Sequence, residues 1–202
     1  VEGLKTIVPI AAISSWYDYY RSNGLVTAPG GYQGEDADNM AEAVLTRANP
    51  AECGNVIKDL TKGMNRATGD YNTFWAERDY TKDAKNVKAS VFVVHGLNDW
   101  NVKTKQFADW WTALEKNNVP TKLWLHQGGH SNPYNFRKDE WLMTLNKWFD
   151  HWLYEIDNDV MEEPKVDIQR EDKSWSTEEV WPAADNRKTR LYLGVKKDND
   201  SE

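Results

Sequence analysis

The strongest constraint on the fold is an alternation of apolar, strand-type runs with helical patterns along the chain. The runs cover residues 5–15, 88–94 and 121–127 and read "KTIVPIAAISS", "KASVFVV" and "TKLWLHQ". Continuous apolarity is typical of strands whose two faces are both covered. Helical spacing of large apolar residues follows the second run, over 103–118, and the third run, over 139–156. This alternation predicts an α/β fold with a parallel sheet and right-handed crossovers.

The segments outside this alternation predict the rest of the organisation. Residues 16–39 are dense in Gly, Asn and Tyr, which favours a loop with short turns, and helical patterns follow to about residue 80. Beyond Asp157, polar and apolar residues alternate without a helix between them, as in a β-domain. The patterns divide the chain into three predicted parts: a main domain from 1–15 and 88–157, a helical cap insertion over 16–87, and the beginning of a β-domain over 160–202.

Composition excludes several classes of protein. The formal net charge of -7 argues against a nucleic-acid partner, which would require a clustered basic face. No apolar run is long enough to span a membrane, and the lone Cys53 cannot form an internal disulfide, so we expect a cytoplasmic protein. No short-spaced metal-ligand pair and no Gly-rich phosphate loop occurs, so neither a metal nor another cofactor is expected. The ends of the sequence, without an initiator Met or a signal-peptide start, suggest an internal piece of a longer chain.

Two loops that follow predicted strands carry the clearest chemical signal. Asp99 lies in "HGLNDWNV" and His130 lies in "HQGGHSNP", 31 residues later. That separation accommodates a loop, a helix, a strand and another loop, so both side chains can meet at one edge of adjacent strands. A carboxylate that orients an imidazole makes it a general base for a nucleophile. We expect the glycines before His130 to let the backbone bend tightly and present the ring.

The nucleophile that this pair would serve is missing from the sequence. None of the serines lies in a G-x-S-x-G turn, and Cys53 lies in a helical pattern. Taken singly, Asp99 could be an ordinary turn residue and His130 an ordinary loop histidine. Their order and spacing together favour catalysis, with the nucleophile expected shortly before Val1.

Several segments resemble the Xaa-Pro dipeptidyl-peptidase family of lactic acid bacteria. They are "ISSWYDYYRSNG", "FWAERDYTKDAKNVKASVFVVHGLNDWNV" and "GGHSNP". The likeness extends over essentially the whole chain. It implies an α/β-hydrolase fold, a serine-peptidase activity that releases X-Pro dipeptides from peptide N-termini, and a C-terminal domain of jelly-roll type. It also implies peptide substrates with a penultimate proline and a homodimeric parent protein, while this piece alone would be inactive.

The resemblance assigns roles to particular positions. It makes Asp99 and His130 the acid and base of a triad, and it gives a pocket for the penultimate proline to Trp16, Tyr19, Asn101 and Val102. Glu35 matches an acidic residue that would face the free α-amino group of the substrate. Asp36, Asp38 and Glu42 lie nearby and keep that last assignment open.

The sequence is also compatible with two other functions. A related ester or amide hydrolase of the cocaine-esterase or cephalosporin-acylase type would keep Asp99 and His130 but would not need an anchor for an ammonium group. A non-enzymatic binding or assembly module could use the Trp-rich surface of the chain without either residue.

Overall fold

A computed structural model describes residues 2–21, 24–26, 36–46, 49 and 53–194. Its centre is one five-stranded sheet in the order β1-β2-β3-β4-β5. The first four strands are mutually parallel, and β5 is antiparallel to β4. The strands are β1 Thr6–Ile7, β2 Ser90–Gly96, β3 Thr121–His126, β4 Val166–Gln169 and β5 Trp175–Glu178.

Six α-helices surround or extend this sheet within the described residues: α1 Trp16–Arg21, α2 Ala37–Val44, α3 Val56–Met64, α4 Thr73–Ala76, α5 Lys105–Lys116 and α6 Lys138–Tyr154. Two 3-10 helices, Tyr80–Asn86 and Pro133–Asn135, precede β2 and α6. None of the described helices is long and apolar enough to cross a bilayer.

Successive side chains of β2 and β3 fill two cores on opposite faces of the sheet. One face packs against α5 and the other against α6. This arrangement explains why both strands are apolar without alternation, because every residue of β2 and of β3 is buried. The core on the α5 face includes Val91, Val93, Leu123, Leu125, Phe107, Trp111 and Leu114, and that on the α6 face includes Phe92, Val94, Trp124, Trp141 and Trp148. The predicted α/β architecture is therefore confirmed.

The first predicted strand is much shorter than its apolar run. β1 stops at Ile7, and Ile10 makes only an isolated bridge to Val94. Pro9 lies between them and has no N–H to donate to a neighbouring strand, although its carbonyl accepts from Val94 N at 3.0 Å. Ala11 then adopts a positive φ of 49°, which ends the extended conformation.

The stretch after Ser15, which was expected to be a loop, begins with helix α1. Ser15 Oγ accepts a hydrogen bond from the backbone N–H of Asp18 at 3.3 Å, as an N-terminal cap does. Trp16 stacks on Tyr20 one turn later, with ring centroids 5.9 Å apart. Contacts between aromatic side chains thus stabilise a helix that the local composition did not indicate.

The two strands beyond residue 160 join the central sheet. β4 pairs with β3 through Leu123↔Val166 to Leu125↔Ile168, and β5 then pairs with β4. The sheet therefore continues past residue 157, where the sequence pattern predicted the end of the main domain. A separate β-domain over 160–202 stays a prediction, since residues 195–202 lie outside the described part of the chain.

Candidate active site

Two loops at the carboxyl ends of β2 and β3 are joined by hydrogen bonds. Leu97 N donates to His126 O at 2.7 Å, and Asn98 N donates to Gly128 O at 3.1 Å. The side-chain amide of Asn98 also donates to Gln127 O at 2.8 Å. In open α/β sheets this edge is where binding and catalytic sites form. The loops are thus held in register at the position that the fold favours for a site.

Asp99 and His130 meet between these loops. His130 Nδ1 lies 2.8 Å from Asp99 Oδ2. The other carboxylate oxygen, Oδ1, accepts hydrogen bonds from the backbone N–H groups of Asn101 and Val102, both at 2.9 Å. A carboxylate only accepts hydrogen bonds, so Nδ1 carries the proton of the neutral ring and Nε2 carries the lone pair.

The exposure of the two side chains differs sharply. The Asp99 side chain is 0% exposed, whereas the His130 side chain is 46% exposed. Backbone donors therefore hold the buried acid in place, and the imidazole is exposed at the surface. An imidazole oriented in this way can take a proton at Nε2 from a nucleophile that approaches from outside.

Glycines permit the close approach of the two loops. A Cβ on Gly96 would lie 2.3 Å from Gly129 O, and a Cβ on Gly128 would lie 2.3 Å from the Phe136 ring. The described glycines with positive φ are Gly3, Gly24 and Gly69, so the loop bends without a positive φ at Gly128 or Gly129. Gly96 and Gly128 are needed for space, a role that the sequence did not indicate.

Two further histidines, which the sequence did not mark as part of the site, are buried beneath the loops. His95 and His126 are each 1% exposed. His95 Nε2 lies 2.8 Å from Val102 O, while His126 Nδ1 accepts from Gly128 N at 3.1 Å. Burial lowers the pKa of His95 and lowers the pKa of His126 from 6.5 to about 4, so both rings are neutral near pH 7.

Helix α1 connects the predicted proline pocket to the Asp99 loop. The Tyr19 hydroxyl donates to Asn101 Oδ1, and Asn101 N in turn holds Asp99 Oδ1. The Trp16 ring contacts Tyr19 edge-on, with centroids 6.4 Å apart. Val102 is 4% exposed and contributes to the loop through its backbone N–H, which donates to Asp99 Oδ1. The structure thus joins Trp16, Tyr19 and Asn101 in a continuous set of contacts leading to Asp99.

The buried Gln106 of α5 positions the start of α1. Its Oε1 accepts from Ser14 N at 2.8 Å and Ser15 N at 2.9 Å, and its Nε2 donates to Ser15 O at 3.1 Å. Every polar group of this amide is therefore used to fix the chain that leads into α1. No pattern in the sequence indicated this role, because the partners are more than 90 residues apart.

Three of the four acidic candidates for the substrate amine can be placed. Asp36 is buried in an ion pair with Arg21 at 2.8 Å, and it also contacts Arg66. Asp38 contacts Arg66 and accepts from Thr61 Oγ1 at 2.7 Å. These two carboxylates are already paired, while Glu42 is exposed on α2 and Glu35 lies outside the described residues.

Within the residues that the structure describes, no group of three or more His, Cys, Asp or Glu side chains could hold a metal ion. The imidazoles of His95 and His126 extend from opposite faces of the sheet, since His95 pairs in register with Leu125 and His126 with Gly96.

The parallel sheet, with an acid and a histidine in the loops that follow neighbouring strands, has the architecture of an α/β-hydrolase fold. A CocE/NonD family hydrolase from Staphylococcus aureus shares this fold, with a TM-score of 0.70 and 18% identity. The match covers 95% of this chain and 33% of that one.

The sequence comparisons define the family more closely. The family model described as X-Pro dipeptidyl-peptidase (S15 family) matches residues 1–132, and the chain belongs to this family. A putative Xaa-Pro dipeptidyl-peptidase of Bacillus anthracis is 68% identical over 97% of this chain and 33% of its own length. An Xaa-Pro dipeptidyl-peptidase of Ligilactobacillus salivarius is 44% identical over 96% of this chain and 25% of its own length. The chain therefore spans a quarter to a third of these relatives.

Proposed function

We propose that this chain carries the acid and the base of a serine-type dipeptidyl-peptidase that releases X-Pro dipeptides from peptide N-termini. The observation that supports this most directly is the 2.8 Å contact between His130 Nδ1 and the buried Asp99 carboxylate, in a chain of the X-Pro dipeptidyl-peptidase family. Its relatives carry the name Xaa-Pro dipeptidyl-peptidase.

In the proposed reaction, His130 transfers a proton twice. A serine outside this sequence attacks the carbonyl carbon of the proline while its hydroxyl proton passes to His130 Nε2. The proton then goes to the leaving amine as the C–N bond breaks, and a water molecule repeats the sequence on the acyl-enzyme. Asp99 stays ionised and stabilises the imidazolium each time. On this proposal the 202-residue chain alone does not hydrolyse peptides.

The proline would bind against the aromatic residues of α1. Trp16 and Tyr19 offer flat apolar faces to a pyrrolidine ring, which has little to hydrogen-bond. Asn101 and Val102 would complete the pocket, since Asn101 contacts Tyr19 and the backbone N–H groups of both residues donate to Asp99 Oδ1. An acidic side chain, with Glu35 as the candidate, would bind the substrate ammonium group. This contact would place the bond after the second residue at the catalytic groups.

We also propose a division of the chain into domains. The main domain would comprise 1–15 and 88–157, the residues 16–87 would form a cap that bears the proline pocket, and residues from 160 onward would begin a β-domain of the parent. The protein would act on peptides in the cytoplasm as a homodimer.

The test uses the protein expressed at its full native length. Gly-Pro-p-nitroanilide should be hydrolysed, and its N-acetylated form should not, because acetylation removes the ammonium charge. Equal turnover of the two substrates would contradict a dipeptidyl-peptidase and indicate an ester or amide hydrolase of the CocE type. Gly-Ala-p-nitroanilide serves as the control for proline, and we expect it to be a much poorer substrate.

A further inference from the structure

His95 is the next-to-last residue of β2 and contacts the turn that bears Asp99. It is buried on the α5 face of the sheet, where its ring lies against Phe107 with centroids 4.9 Å apart. Its Nε2 is 2.8 Å from the carbonyl oxygen of Val102. A carbonyl can only accept, so Nε2 must carry a proton and donate it to Val102 O.

The same Val102 supports the Asp99 carboxylate. Its backbone N–H donates to Asp99 Oδ1 at 2.9 Å, and Asp99 Oδ2 is 2.8 Å from His130 Nδ1. Hydrogen bonds thus connect His95 to His130 through Val102 and Asp99. The path is buried except at His130, so solvent has no ready access to replace a missing donor.

The environment of the ring favours its neutral form. His95 Nδ1 is buried and has no hydrogen-bond partner among the described residues. In an apolar environment, a lone pair without a hydrogen-bond partner costs much less free energy than a charged N–H without one. Burial also lowers the pKa of His95 and outweighs the hydrogen bond to Val102 O and the Asp99 carboxylate, which act in the opposite direction. A neutral His95 adds no positive charge that would oppose protonation of His130.

We infer that His95 is a positioning residue, which fixes the Asp99–Val102 turn through its Nε2–H so that the Asp99 carboxylate holds His130 in the tautomer with a free Nε2. This inference rests on the proposed peptidase function and adds to it a residue that does not touch the substrate. Removing the hydrogen-bond partners that orient metal ligands lowers activity by roughly 10–100-fold, and we expect a loss of the same order where a partner orients a catalytic carboxylate.

The decisive experiment compares three substitutions of His95 in the protein at its full native length. His95→Gln places an amide N–H where the imidazole Nε2 lies, His95→Asn has a donor too short to reach Val102 O, and His95→Leu has none. We expect His95→Leu and His95→Asn to lower kcat for Gly-Pro-p-nitroanilide by roughly 10–100-fold with little change in KM. His95→Gln should recover most of the loss. Because His95→Gln differs from His95→Asn by one methylene, the pair remains informative if His95→Leu does not fold.

A pH profile separates positioning from a general structural role. A loosened Asp99 stabilises the imidazolium of His130 less, so the lower apparent pKa of kcat/KM should fall in His95→Asn and return towards the wild-type value in His95→Gln. The matched control is His151→Leu, because His151 also hydrogen-bonds a backbone carbonyl, Ile156 O at 3.2 Å, but does so at the end of α6. This control should leave both kcat and the pH profile unchanged.

Two outcomes would overturn the inference. One is wild-type kcat in folded His95→Asn and His95→Leu, and the other is an equal loss in folded His95→Gln and His95→Asn. His130→Ala in the same assay distinguishes these from a failure of the proposed function. If His130→Ala abolishes turnover while the His95 variants do not affect it, only the role of His95 is refuted.

Discussion

Replacing Asp99 by Asn tests the proposed chemistry with the smallest change in shape. In the structure, Asp99 Oδ1 accepts from two backbone N–H groups and Oδ2 faces His130 Nδ1 at 2.8 Å. The two backbone donors of the turn will keep the amide oxygen at the Oδ1 position. The amide NH2 then faces His130 and donates to Nδ1, so the ring must carry its own proton on Nε2. A ring in that tautomer cannot accept a proton from a nucleophile.

The size of the expected effect follows from this change of tautomer. Substitutions that leave the geometry intact but enforce the wrong tautomer lower kcat by about 10⁴ in serine peptidases. That factor corresponds to about 5 kcal/mol of activation free energy, since each tenfold change is 1.36 kcal/mol. The effect on folding should be small, because the backbone hydrogen bonds to Oδ1 survive.

The assay is steady-state hydrolysis of Gly-Pro-p-nitroanilide by the protein at its full native length, with urea unfolding measured in parallel. Asp109→Asn is the matched control, because it makes the same substitution at an exposed carboxylate on α5. We expect wild-type kcat for Asp109→Asn. A kcat for folded Asp99→Asn within tenfold of wild type would refute the account of Asp99.

Three further predictions concern the surroundings of the pair. Burial holds the pKa of His126 at about 4 against 6.5, so the folded state binds fewer protons, and stability present above pH 6.5 is lost as the pH falls to 4. Between pH 6.5 and 4, the free energy of unfolding of His126→Phe, measured by urea titration, should therefore fall by roughly 2 to 3 kcal/mol less than that of wild type. An equal fall in the two proteins would contradict this. Gly96→Ala should destabilise the fold by roughly 1–3 kcal/mol in urea, because its Cβ would lie 2.3 Å from Gly129 O. Gly129→Ala, whose Cβ would lie no closer than 3.5 Å to its nearest neighbour, should cost less than about 0.5 kcal/mol, and equal costs would refute the steric explanation. Tyr19→Phe removes the hydrogen bond to Asn101 Oδ1 and should raise KM for Gly-Pro-p-nitroanilide about fivefold, whereas an unchanged KM would separate Tyr19 from the proline pocket.

The sequence predicted the elements whose apolar residues are strongly periodic. Helix α5 was expected over 103–118 and occupies Lys105–Lys116, and α6 was expected over 139–156 and occupies Lys138–Tyr154. In both helices, large apolar residues recur at a spacing that only a helix packed on a sheet can bury on one side. The Asp99–His130 contact was predictable for a related reason, because two successive parallel strands place their following loops at the same edge.

Other features depend on contacts that no local pattern encodes. Helix α1 was missed because it is fixed from outside by the distant Gln106. β1 was overestimated because an apolar run does not reveal where Pro9 interrupts the hydrogen bonds. The ion pair of Asp36 with Arg21 spans 15 residues, so the sequence could not separate a buried, paired carboxylate from one that is free to bind a substrate.

The central claim is that His130 is the general base of an X-Pro dipeptidyl-peptidase. The most direct test is the kcat/KM for Gly-Pro-p-nitroanilide of His130→Ala in the protein at its full native length, compared with wild type at the same folded concentration. The account predicts a loss of at least about 10³-fold, because a nucleophile without its base retains little activity. Turnover equal to that of wild type would contradict the account, because the enzyme would then not use His130 as its base.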